Sequence, residues 1–152
     1  MGLNNMAIKI KSIKDLEKIV KQDIVNKLNE ERSQNKIKDV NRMNVSEKVY
    51  SVYEPQVYDR RADEGGLTDP DNIDVSASAT SAGVKLTISN NTSPKGFDVP
   101  GQEYEFLAPI VEYGTGGKSA WQKPRPFMKG TADDLRKGKL ITKLIKEIKY
   151  IK

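Results

Sequence analysis

The 152-residue sequence contains neither cysteine nor histidine. Without thiols there is no disulfide and no thiolate nucleophile, and without imidazole there is no histidine base and none of the usual zinc ligand sets. Any chemistry would fall to carboxylates and lysines, so an enzyme is the least expected of the function classes. Apolar residues are scarce at 36% and the mean hydropathy is −0.65. A chain of this length is one ordinary domain. The expectation is a single domain over residues 1–152 with one small core, long solvated arms and a stability that draws on neighbours. No run approaches the roughly 18 apolar residues that span a bilayer. Residues Met1 to Met6 hold neither an apolar signal core nor the Ser or Thr expected for myristoylation. No membrane partner is expected, and the protein is expected to be cytosolic or assembled from the cytosol.

Charge is present but unevenly placed. The net charge is +5, yet residues 123–152 hold ten Lys or Arg against Asp133, Asp134 and Glu147, a net +7, which leaves the rest of the chain at −2. The positive charge belongs to the tail.

The apolar residues that exist are periodic. Ala7-Ile-Lys-Ile10 alternates and reads as a short strand. Ser12 stands three residues before Asp15 in a capping-box-like start, and Ile13, Leu16, Val20, Ile24 and Leu28 repeat at helical spacing, predicting a helix to about Arg32. Ser33 to Lys36 has the composition of a turn, with a continuous kinked helix as the alternative. A second helix is predicted through Ile37, Val40, Val45, Val49, Val52 and Tyr53, stopped by Pro55. Residues 73–79 and 84–89 each alternate around the hairpin-length connection Thr80 to Gly83. Residues 62–72 and 90–100 read as long loops. The tail predicts one last helix with an apolar face of Leu135, Leu140, Ile141, Leu144, Ile145, Ile148 and Ile151, interleaved with lysines. These elements define an α+β class: two N-terminal helices and a C-terminal helix packed on a small, mainly antiparallel sheet with long loops.

Two motifs invite a ligand and fail on inspection. Gly114 to Ser119 looks like the back half of a phosphate-cradling loop, but the required leading glycine is Glu112, whose charge repels phosphate, and Pro124 interrupts the helix that should follow. A glycine hinge is the better reading. Asp63, Glu64, Asp69 and Asp71 crowd one loop without the alternating ligands and closing glutamate of a calcium loop. A solvated acidic loop is expected there, and no metal or cofactor.

Interface chemistry is better represented. Tyr53, Tyr58, Arg60 and Arg61 cluster at the exit of the second helix, where rigid amphipathic rings beside guanidinium groups suit a protein interface. The bland alternative is tyrosines closing the core edge beside a solvated Arg pair. Leu67 is the one apolar residue of the acidic loop. The stretch Ile110-Val-Glu-Tyr-Gly-Thr-Gly-Gly-Lys118, with Tyr113 and Gly114 at its turn, leads into Trp121-Gln-Lys-Pro-Arg-Pro-Phe127, where Pro126 sets up Phe127 as a hydrophobic anchor. Together these form a docking element with no visible catalytic group.

The order of these segments resembles the gene-ten-like head-tail joining, or tail completion, proteins of tailed bacteriophages. The residues that carry the resemblance are Val-Tyr-Ser-x-Tyr-x-Pro-x-x-Tyr-x-Arg-Arg from Val49, Gly-Leu-x-Asp at Gly66 to Asp69, the hairpin, Val-Glu-Tyr-Gly-Thr at 111 to 115 and Arg-Pro-Phe-Met at 125 to 128. The likeness spans about residues 12 to 150. It departs after Phe127, where many relatives continue with proline and alanine and this chain has Lys129-Gly130-Thr131, leaving the helix start open between Phe127 and a cap at Thr131.

The resemblance implies a subunit of a homo-oligomeric ring in the virion neck, placed between the head connector (adaptor or stopper) and tail terminator or tail tube proteins. DNA would pass nearby without specific contact. It also implies that Glu112, Tyr113, Gly114, Thr115, Pro126 and Phe127 hold the framework. The rival readings are a tail terminator or minor capsid protein, and a nucleic-acid-binding module that uses the basic tail.

Overall fold

A computed structural model of the chain describes residues 11–52, 61–94, 106–114 and 123–149. The expected strand Ala7 to Ile10 lies outside them. Helix α1 (Ile13–Asn29) starts as its sequence predicts: Ser12 is extended, and its hydroxyl accepts from the amide of Asp15 at 3.2 Å. It stops three residues earlier than expected. Glu30 takes an extended conformation (ψ 140°), and α2 (Glu31–Val45) begins at once, so Ser33 to Lys36 is helical and the break sits at Asn29–Glu30. Asn29 explains the position. Its side-chain amide donates to the carbonyl of Ala77 at 2.9 Å and accepts from the Ala77 amide at 2.8 Å, standing in for a neighbouring strand.

After Val45 the helix widens into a single π turn, Ser46–Tyr50, closed by the amide of Ser51 on the carbonyl of Ser46 at 2.9 Å. Such a turn absorbs one extra residue, and Val45 just before it and Val49 within it are both buried. Val52, expected in the same stripe, is 62% exposed beyond the π turn. A short 3-10 turn, Pro70–Asn72, capped by Asp69, leads into the hairpin.

The sheet consists of two antiparallel strands among the described residues, β1 (Ile73–Thr80) and β2 (Gly83–Asn90), paired from Ile73 with Asn90 to Thr80 with Gly83. The connection is Ser81-Ala82, two residues shorter than the expected Thr80 to Gly83, because Thr80 and Gly83 pair as the last rung of the ladder. Ile73, Val75 and Ala77 point inward and are buried, whereas Asp74, Ser76 and Ser78 face out. The inward set packs with Leu28 of α1, Ile37 of α2, Leu135 and Leu144 as the first hydrophobic cluster.

The tail is two helices where the sequence predicts one. Helix α4 (Phe127–Lys137) and α5 (Leu140–Lys146) are interrupted at Gly138 and Lys139. The start at Phe127 settles the choice between Phe127 and Thr131. Thr131 is buried inside α4, where its hydroxyl donates to the carbonyl of Phe127 at 2.7 Å. Ile148 is half-buried past the end of α5, and Ile151 lies outside the described residues. Helix α3 (Leu107–Tyr113) takes the place of the expected apolar turn; Pro109 falls in its first turn, where a missing amide breaks no helical bond. The result is an α+β fold with N- and C-terminal helices on a small, open two-stranded antiparallel sheet with long loops.

Candidate functional site

The stretch that organises the sequence folds as a latch between α3 and α4. Gly114 ends α3 at φ +69°, a left-handed conformation suited to glycine, and its amide reaches the carbonyl of Ile110 at 2.8 Å. When the chain returns, the amide of Arg125 donates to the carbonyl of Val111 at 2.8 Å, and the Phe127 amide donates to Arg125 at 2.8 Å. Helix α4 then has a problem that its own sequence does not solve: its N-cap is Pro126, which has no side-chain acceptor. Glu112 supplies one. Its carboxylate accepts from the amide of Met128 at 2.8 Å and from that of Lys129 at 3.0 Å, and the residue is buried. A carboxylate at a helix N-terminus satisfies orphan amides and the helix dipole together.

Behind the latch, Phe127 is fully buried against Val45, Val49, Leu67, Ala108 and Val111, the second hydrophobic cluster. A buried polar seam accompanies it. The Nδ2 of Asn41 lies 3.1 Å from Thr131 Oγ1 and 3.2 Å from Met128 Sδ, while Asn90 Nδ2 donates to the carbonyl of Leu67 at 2.8 Å and to Asn41 Oδ1 at 3.3 Å. The Thr92 hydroxyl lies 2.6 Å from Asn90 Oδ1 and 3.1 Å from the carbonyl of Gly66. Asn44 joins α2 to α4 through Asp134 at 2.8 Å. These asparagines and threonines carry no periodic signal and were not legible in the sequence.

The acidic loop is held by Arg42. Its Nε donates to the carbonyl of Thr68 at 2.8 Å, and its terminal nitrogens pair with Asp39 at 3.1 Å and Asp63 at 3.3 Å. Partial burial works against the charged guanidinium, and the two carboxylates outweigh it, so its pKa is raised. The Thr68 hydroxyl, followed by Arg42, holds the Asp63 carboxyl below the usual value. Asp69 accepts from the amides of Gly65 at 2.6 Å and Asp71 at 2.9 Å. Asp63 and Asp69 thus serve as an ion pair and a cap, and among the described residues no group of three or more is arranged to hold a metal ion. Beside them runs an open groove of about 540 Å³, lined by Asp39, Arg42, Met43, Glu47, Tyr50 and Asp63 among others.

The residues singled out in the sequence divide accordingly. Leu67 and Phe127 are core, Gly114 and Pro126 shape the latch, and Arg61 donates to the carbonyl of Ser93. Tyr113 is 76% exposed, so the framework role in its turn belongs to Glu112 and Gly114 while the ring faces outward. Tyr53, Tyr58, Arg60, Thr115 and Trp121 lie outside the described residues. In the tail, Arg136, Lys137, Lys139, Lys143, Lys146 and Lys149 are exposed. Glu147 is engaged elsewhere, 3.0 Å from Lys27 and 3.5 Å from Arg32.

With the fold and its latch described, the comparisons give the setting: this is a phage-associated protein. The chain belongs to the YomN family, whose model matches residues 12–150. It is 28% identical over 148 residues to the SPbeta prophage-derived uncharacterized protein YomN of Bacillus subtilis (strain 168), covering 91% of this chain and 94% of that relative. No solved structure matches it.

Proposed function

We propose that the protein is a structural, non-catalytic subunit of the phage neck, which assembles as a ring and joins the head connector to the tail. The observation that carries this reading is the latch. The segments that resemble head-tail joining proteins, Val-Glu-Tyr-Gly and Arg-Pro-Phe-Met, fold against each other through Glu112, Val111 and Arg125 as one unit. A relative of prophage origin supports the same setting.

The test is a phage in which this gene is disabled. Full heads and finished tails should accumulate unjoined, seen by electron microscopy, and purified protein should restore infectious particles when added to the mixture. Joined particles formed without it would overturn the neck role. Tails of uncontrolled length would point to a terminator instead.

The exposed cationic residues of α4 and α5 favour a second reading, nucleic-acid binding. Replacing Lys139, Lys143 and Lys146 with Gln separates the two. Loss of tight DNA binding at physiological salt would support the second reading, since each lost phosphate contact also flattens the salt dependence. Failed joining with unchanged weak DNA affinity supports the first.

A further inference from the structure

Helix α1 continues beyond the sheet it packs on. Asn29 sits against Ala77, and further back along the helix Lys21 Nζ donates to the carbonyls of Thr80 and Ser81 at the hairpin tip, at 3.2 and 3.3 Å. The residues before Lys21 therefore carry the helix past the tip, by about 12 Å at 1.5 Å per residue. Along this length one apolar stripe emerges from the core. Leu28 is 3% exposed, Ile24 and Val20 are half-buried, Leu16 is 44% exposed and Ile13 is 85% exposed. Beside the stripe, Lys14 and Lys18 are exposed and in no ion pair among the described residues, while Lys21 pairs with Glu17 at 2.9 Å. The protruding end is thus apolar on one side, and its charged residues before Lys21, namely Lys11, Lys14 and Lys18 against Asp15 and Glu17, sum to +1, with Glu17 already taken by Lys21.

The complementary surface lies at the other end of the hairpin, about 26 Å away along an eight-residue strand. There Lys38 and Arg42 tie α2 to the carbonyls of Pro70 and Thr68, and the 540 Å³ groove opens beside them. Met43, 60% exposed, forms part of its lining with Tyr50 and Ala62. The carboxylates of Asp39, Glu47 and Asp63 stand against Arg42 alone, a net −2 in the lining. Glu47 is exposed and has no ion-pair partner among the described residues.

We infer that the protruding end of α1 from one copy docks in this groove of the next copy, with Ile13 and Leu16 on Met43 and Tyr50, and Lys14 and Lys18 facing Glu47 and its neighbouring carboxylates. Two different surfaces at opposite ends of one molecule make a head-to-tail contact, which generates a closed ring when its rotation closes. The inference rests on the ring reading above and supplies its contact. Charge complementarity selects a second copy as the occupant.

The absence of native cysteine makes the test clean. In the full-length chain, Ile13→Cys and Met43→Cys are introduced singly and together, both at exposed positions that leave the cores intact, and a short bismaleimide is added. The double variant should give a ladder of covalent multimers, and each single variant none. Glu47→Lys in that background should cut the ladder about tenfold, with recovery on adding Lys18→Glu. No ladder from the double variant, either free or within purified particles, overturns the contact; so does equal cross-linking in a single variant, which would mean a two-fold interface. The two readings fail separately. Heads and tails that join through this protein without a ladder retain the neck role and remove the contact. A ladder from a protein that is dispensable for joining does the reverse.

Discussion

The cluster around Ile37 and Ile73 and the cluster around Val45 and Phe127 share helix α2 and differ in how they are made. The first is a hairpin face laid on helices, built from alternating and helical repeats, with Val75 and Ala77 meeting Leu28 and Leu144. The second collects single residues from α2, the π turn, the acidic loop, α3 and α4, and it depends on polar fastenings: the Glu112 cap, the Arg42 ties and the asparagine seam. Between them α2 changes character along one face, from Ile37 through Asn41 and Asn44 to Val45, all buried. A buried polar group without a partner costs more than its bond contributes, so the seam holds the second region in one arrangement and penalises others. Apolar area supports the first region. Geometry supports the second.

The largest effect is expected from Phe127→Ala. A fully buried ring under the latch would leave a cavity, so thermal or denaturant unfolding should show a loss of about 3–5 kcal/mol. An unchanged midpoint would mean that the second cluster contributes little. Asn41→Leu should cost about 2–3 kcal/mol although it adds apolar surface, because the Asn90 amide and the Thr131 hydroxyl lose a partner. Improved stability in a denaturant titration would show the seam to be dispensable.

Gly130→Ala should destabilise by about 1–3 kcal/mol despite alanine's better helix propensity. A Cβ there would stand 2.3 Å from Asn44 Oδ1 and 2.4 Å from Lys48 Cε, and Asn44 is held in place by the Val40 carbonyl and Asp134. A higher melting point would show that α2 and α4 separate readily.

The smallest effect is electrostatic. Glu147, lowered chiefly by its hydrogen bond from Lys27, and Asp63, lowered by Thr68 and then Arg42, sit below their usual 4.5 and 3.8. Carboxyls with depressed folded-state values contribute stability above their unfolded pKa and lose it as pH falls through the folded one. Both are solvent-exposed. A slight loss is expected as the pH drops below about 4.5, and Glu147→Gln should flatten it. A flat profile in the parent protein would show that these pairs are inert.

What was legible follows the same division. The Ser12 cap, the hairpin, and the inward faces of α1 and α2 near the first cluster are local patterns, and a period of two or 3.6 reveals them. The break at Glu30 was missed because Asn29 answers to Ala77, far away in sequence. The split of the tail left a trace in Gly138. The sequence also marked Glu112 as wrong for a phosphate loop without revealing its purpose. The clue was Pro126: a helix that begins at Phe127 with no capping side chain before it needs an acceptor from elsewhere.

The second region, fastened by the latch, should open apart from the first. Native-state hydrogen exchange on the parent protein and on Glu112→Gln measures this directly, since Gln offers one acceptor oxygen where the carboxylate offers two. The amides of Met128 and Lys129 should lose about tenfold in protection, while those of Ser76 and Thr87 in the hairpin keep theirs. An equal loss at all four amides would contradict the claim and make the chain one cooperative unit.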